Sequence, residues 1–258
     1  MLEVNHRKII GIISSKDIYY ADSLQQPDRK CDVVHYRHCS KKMEPCIEFH
    51  TLYIDLTQSE EELLNSFGRN TRRYIRQIAK REDLEIKFIE QPTKIDLEKF
   101  AAYYNKFAML KNIYKCPEHF LNEVAALEQL VIIRAVMFEK ILAQFAFVID
   151  EERVIVYCGC TARLFCYVDP EIFPLIKLIH LFMDYQAMLF FKSRNIKVFD
   201  FCGLVVENGR AVPGGPNQYK LGFGGQQAVE YHFVVPYTLK GHLFCWLKNW
   251  RNRIMAGK

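Results

Sequence analysis

Three apolar runs separated by only a few residues constrain this chain more than any other feature. "VIIRAVMFE" and "ILAQFAFVID" flank Lys140, and "ERVIVYCGCTA" follows a tight turn at "DEER". Connections this short cannot hold a crossover, so the strands must run as an antiparallel meander. What surrounds the meander then sets the fold class. Helical segments precede it; one long helix, from Pro174 to Arg194, follows. Next come a buried strand "NIKVFDFCGL", a loop "VENGRAVPGGPNQ" and a last strand "AVEYHFVVPY". This order predicts an α/β (α+β) fold with a central, largely antiparallel mixed sheet flanked by helices. It is not the βαβ alternation of a doubly wound fold, and no GxGxxG or Walker loop is present.

Upstream, Ser59-Glu60-Glu61-Glu62 forms a capping box, the serine bonding a free amide while Glu62 reaches back. The pattern predicts one long helix through "LLNSFGRNTRRYIRQIAKRE", acidic in its first turn and basic in its last. "LEIKFIE" alternates as a strand, "DLEKFAAYYNKFAMLKN" is an amphipathic helix, and "PEHFLNEVAALEQL" is a helix opening on proline. Residues 1–50 read as a strand-and-loop lead-in, with "KIIGIIS" and "HTLYIDL" as strands around a polar, turn-rich stretch. Residues 51–258 form the main domain.

Half of the 258 residues are hydrophobic, which supplies a core and excludes a disordered chain. A formal net charge of +5 suits anionic partners but is below that of a dedicated DNA binder. Nine cysteines, scattered among apolar runs, read as small buried hydrophobes in a reducing cytosol. Cys158-Gly-Cys160 lacks zinc-site spacing, so no metal is expected. The N-terminal apolar run has no small-residue cleavage site and reads as a strand rather than a signal peptide. "IFPLIKLIHLFMDYQAMLFF" carries Pro174, Lys177, His180, Asp184 and Gln186, too many polar groups for a membrane span. A soluble, cytoplasmic protein without stable membrane insertion is the expectation. The oligomeric state is left open, a homodimer included.

Three motifs together carry a family likeness. "NTRRYIRQIAKREDLEIKF", with Arg72, Arg73, Ile75, Arg76 and Lys80, resembles the arginine-rich helix and strand of Fem-type acyltransferases. "VFDFCGL" resembles that family's strand end, and "YKLGFGG" its Phe-Lys-x-Gly-Phe-Gly turn, with Tyr219 in place of the phenylalanine. The likeness spans roughly residues 53–236. It implies a single GNAT-like domain that moves an acyl group by direct attack, without a covalent intermediate. Fem enzymes of peptidoglycan usually hold two such halves, of which residues 1–50 would be at most a remnant. The shortness of the chain favours acyl-CoA as donor. The acceptor implied by analogy is a nucleotide-linked amino sugar, as in surface-polysaccharide (O-antigen, capsule or lipopolysaccharide) biosynthesis. The alternative is transfer of an amino acid from aminoacyl-tRNA to a peptidoglycan-type or lipid-linked acceptor. A third reading is a non-catalytic nucleotide- or partner-binding module.

By the same resemblance, Lys220 stabilises the negative charge that develops on the attacked carbonyl. The competing account is a solvated lysine at a loop edge. Asp200 either takes the proton of the incoming amine or caps backbone amides. His180 and His35 are alternative bases, His180 equally a satisfied core histidine. Tyr219 and Tyr157 orient the acceptor, protonate the leaving group, or simply pack. Gly222, Phe223 and Gly224, in the turn behind Lys220, are expected among the substrate- or phosphate-binding residues. Arg72, Arg73 and Arg76 either hold substrate phosphates or balance the helix dipole. Arg163 stands where the family has a substrate-contacting arginine. "GRAVPGGPNQ" is a flap or an ordinary connection. "FCWLKNWRNR", with Trp246 and Trp250, either touches a membrane surface or packs its tryptophans on the core, the latter being the expectation.

Overall fold

The computed structural model describes residues 1–9, 12–21, 23–24, 31–165 and 169–256. They form two compact units, one of residues 1–50 with 229–258, the other of residues 51–228. Residues 229–258 group with 1–50 rather than with 51–228.

In the first unit β1 (Leu2–Ile9) pairs antiparallel with β2 (Ile13–Tyr19), and β2 pairs in parallel with β3 (Val33–Cys39). "KIIGIIS" therefore straddles two strands rather than forming one, its residues 10 and 11 lying outside the described ones. β3 arises within the stretch read as polar and turn-rich. Its inward side chains, Val34 and Tyr36, join Ile18 and Phe233 in a small core. β4 (Cys46–Asp55) leads into the second unit.

The second unit starts with α1 (Glu60–Ser66), capped by the expected box between Ser59 and Glu62. The single long helix predicted from here does not form. The chain breaks at Phe67-Gly68 and restarts as α2 (Arg69–Ile78). The Gly68 N–H, which a continuous helix would turn back on itself, instead donates to the Gly222 carbonyl at 2.9 Å. Arg72 Nη1 then donates to the Asn65 and Phe67 carbonyls exposed by the break. There follow β5 (Leu84–Ile89), α3 (Lys94–Lys111) and α4 (Glu118–Ala126). The expected meander is β6 (Leu130–Met137), β7 (Lys140–Asp150) and β8 (Arg153–Thr161). Its first hairpin turns at Phe138 and Glu139, both at positive φ.

α5 (Leu175–Lys192) crosses from β8 to β9 (Val198–Asp200), which pair in parallel. The strand order is β4-β9-β8-β7-β6-β5, antiparallel except at β8–β9. That is the mixed, mostly antiparallel sheet expected. The loop read after β9 contains a two-stranded ribbon, β10 (Val206–Glu207) with β11 (Arg210–Ala211), and then α6 (Gly215–Leu221). Tyr219 and Lys220 thus sit in the last turn of a helix and not in a turn. β12 (Gln226–Pro236) and α7 (Leu239–Ala256) end the described chain. Trp246 is 61% exposed, so it does not pack on the core as expected. Among the described residues no helix is long and apolar enough to cross a membrane.

Candidate active site

β8 and β9 stay paired only as far as Ile155 and Asp200. Beyond that point β8 runs on from Val156 to Thr161, while the other chain turns away at Cys202 and Gly203, both at positive φ. Parting of two parallel strands leaves a cleft, because neither backbone closes it and only side chains can fill it. Here a cavity of about 620 Å³ remains, walled by Phe107, Phe145, Val156, Ile176 and Phe201. Its polar lining includes Lys220, Asp184, His180 and Tyr219, with Lys111, Lys177 and Arg163 as further cations.

Lys220 is anchored rather than solvated. Its Nζ donates to the Cys202 carbonyl and, at 2.6 Å, to the Gly203 carbonyl. An ammonium has three donors, so one is left for a ligand. Burial lowers its pKa, against the pull of Cys202, Asp200 and Asp184.

Asp200 supports this arrangement from behind. It is wholly buried, and its Oδ1 accepts from Thr51 Oγ1 and, at 2.7 Å, from the Cys202 N–H. Arg153 Nη1 lies 3.9 Å from its other oxygen. Asp200 does not line the cavity. It shapes the loop whose carbonyls hold Lys220, which is the capping role.

A carboxyl that the sequence analysis passed over stands in the cavity instead. Asp184, on α5, accepts from Tyr219 Oη at 2.5 Å, and its Oδ1 has no hydrogen-bond partner. Burial pushes its pKa up to about 7, although the Tyr219 bond and the Lys220 charge pull the other way. His180, one turn earlier, places Nε2 3.5 Å from the same carboxyl without bonding to it. Its ring lies between Phe145 and Tyr219, with centroids 4.5 and 4.4 Å away. Burial pushes the His180 pKa down to about 3. The signal available in sequence was a His and an Asp four apart in a largely apolar helix.

The remaining expected residues divide. Tyr219 and Arg163 line the cavity, Arg163 lying over the Phe173 ring. Phe223 is fully buried against Phe67 and Phe201 and offers a ligand nothing. Gly222 and Gly224 face α1 and α2. A Cβ on Gly222 would meet Thr71 Oγ1 at 2.8 Å, and one on Gly224 would meet the Ser66 carbonyl at 2.6 Å. Their smallness lets α6 dock and so aims Tyr219 and Lys220. Tyr157 stacks on Phe120 and does not line the cavity. His35 lies on β3 of the first unit and does not line it either.

Arg72 is spent on the backbone of the α1–α2 break, whereas Arg69, Arg73 and Arg76 stand exposed on α2 and, with Lys80 just past its end, form a basic surface groove. Cys160 faces the cavity, but burial pushes its thiol up to about 12, so no thiolate nucleophile is offered.

No protein-family model matches the sequence, and none of the curated proteins does. Solved structures match by shape. FemX superposes with a TM-score of 0.56 at 10% identity, over 72% of this chain and 61% of that one. This chain therefore spans about three fifths of FemX. L-PGS from Bacillus licheniformis matches with a TM-score of 0.52 at 12% identity, covering 82% of this chain and 71% of that one. The C-terminal domain of a putative lysylphosphatidylglycerol synthetase from Agrobacterium fabrum gives 0.51 at 10%, covering 82% and 70%. The chain shares the fold of FemX and of these synthetase domains, as its motifs implied.

Proposed function

We propose that the 51–228 unit transfers an aminoacyl group from the ester of an aminoacyl-tRNA to an acceptor amine, as the Fem-type resemblance implies. The observation that carries this reading is a buried, anchored ammonium beside a carboxyl of near-neutral pKa, at the point where two parallel strands part. The acceptor nitrogen attacks the ester carbon, forming C–N as the C–O bond to ribose breaks. The third N–H of Lys220 faces the carbonyl oxygen as it gains charge, a contribution on the order of 3 kcal/mol. Asp184 takes the proton lost by the amine and returns it to the departing ribose oxygen. Tyr219 holds that carboxyl in place. Fold neighbours that include FemX and lysylphosphatidylglycerol synthetases support aminoacyl transfer over the acyl-CoA reading. The exposed cations of α2 suit a polyanionic donor.

A second reading keeps the same chemistry with acyl-CoA and a nucleotide-linked amino sugar. Lys111, Lys177 and Arg163 on the cavity favour it, since they match a diphosphate. A donor panel with labelled aminoacyl-tRNA and acyl-CoA decides. Product formation abolished by ribonuclease supports the first, and release of free CoA thiol the second. Donor binding without turnover, unaltered in Lys220→Met and Asp184→Asn, supports a binding module instead.

A further inference from the structure

The helix α7 turns one side to its own unit and a different, apolar side outward. Thr238 caps its start, donating to Asp32 Oδ1 and accepting from the Gly241 N–H at 3.1 Å. Gly241 is the point of contact with the unit, because a Cβ there would lie 2.1 Å from the Asp32 carbonyl. Phe244 and Cys245, half-buried, continue that side. Leu239, Leu243, Trp246 and Leu247 are 89%, 57%, 61% and 46% exposed. At 3.6 residues per turn these four fall within an arc of about 100°, roughly opposite Gly241. A water-facing helix would place polar residues there.

Charge selects the occupant. Lys240 and His242 are exposed beside the stripe, and Lys248 is exposed further round the helix. The sequence adds Arg251 and Arg253, and from Tyr237 to Lys258 there is no aspartate or glutamate. A protein partner would need an acidic, apolar groove of matching shape. A bilayer of anionic lipid meets both demands at once, taking leucine and tryptophan at headgroup depth and lysine and arginine among the phosphates.

We propose that α7 lies in the surface of an anionic membrane, its Leu239–Leu243–Trp246–Leu247 stripe inserted and its basic residues against lipid phosphates. This anchors the protein by a helix lying in the surface and is independent of the chemistry at Lys220.

Both tryptophans of the chain, Trp246 and Trp250, lie on α7, so intrinsic tryptophan emission reports on this helix alone. The full chain is mixed with vesicles of phosphatidylcholine, alone or with phosphatidylglycerol, and followed by co-sedimentation and emission. The expected result is sedimentation and a blue shift with the anionic vesicles only, weakened by salt. Leu239→Glu with Leu243→Glu should lower partitioning at least about tenfold, since each leucine loses its buried area. Lys240→Glu with Lys248→Glu should remove the preference for anionic lipid. These sites are exposed, so an unchanged melting temperature keeps the comparison fair. Failure of the native chain to bind, or equal binding to both vesicle types, overturns the proposal. So does self-association through α7, abolished by the leucine variant, in a chain that ignores vesicles.

Discussion

The cavity sets Lys220 and Asp184 in opposite electrostatic situations, and the proposed transfer draws on both. Two carbonyls accept from the buried Lys220, while Asp184 has one tyrosine bond, an oxygen without a hydrogen-bond partner and the His180 ring beside it. Removing the ammonium through Lys220→Met should cost about 100-fold in kcat/KM, equivalent to roughly 3 kcal/mol. Steady-state kinetics on the accepted donor checks it, and an undiminished rate would return Lys220 to a purely structural part. A base must be ionised to act, so kcat/KM should rise with pH through about 7, and Asp184→Asn should abolish both the inflection and most of the rate. The same shift has a stability consequence of determined sign. The folded chain holds this proton up to about 7, whereas the unfolded chain releases it near the ordinary 3.8. Between those values the unfolded state binds fewer protons, so the contribution of Asp184 to stability, full below 3.8, declines as pH rises towards 7. Denaturant midpoints across that window should fall in the native chain, and Asp184→Asn should flatten its share of the slope.

At the level of elements, the arginine helix and the glycine-rich motif are two halves of one joint. Gly68 breaks the helix, its N–H takes the Gly222 carbonyl, and Arg72 closes the carbonyls left open. The capping box, the meander and the crossover helix were legible because local patterns determine them. The break at Gly68 was not, since its N–H finds its partner some 150 residues away, at Gly222. Asp184 escaped for a similar reason, its meaning arising only when α6 brings Tyr219 against α5. Lys220 was legible through its motif, while Asp200 stood in the motif without entering the cavity. One glycine outside the motif has a comparable part. A Cβ on Gly159 would lie 2.0 Å from the Phe145 ring that backs His180. Gly159→Ala should therefore cost about 1–3 kcal/mol in stability, read as a lower denaturation midpoint. Arg72→Met should likewise lower the melting temperature, because it leaves helix-end carbonyls without their donor. Its effect on the donor's KM should be small, since the guanidinium is already engaged.

For the molecule as a whole, the formal charge of +5 says less than where the cations stand. The 51–228 unit gathers Arg69, Arg73 and Arg76 on α2, with Lys80 just past its end, apart from the buried ammonium of Lys220. A helix so charged gains little as structure, because solvated cations repel each other and exposed pairs add only a few tenths of a kcal/mol. Its cations are suited to phosphates, where each contact releases a condensed counterion. Arg73, Arg76 and Lys80 changed together to glutamine should raise the donor's KM while leaving kcat within about twofold, the pattern of binding lost equally in ground and transition states. The salt dependence supplies the sharper criterion. If the donor is a nucleic acid, the logarithm of its affinity should fall linearly with that of salt, with about 0.7–0.9 of slope per phosphate neutralised. The triple variant should then show a slope shallower by about two to three. A slope that the substitutions leave intact would place the donor elsewhere on the surface, and would make the positive face of α2 a matter of solubility alone.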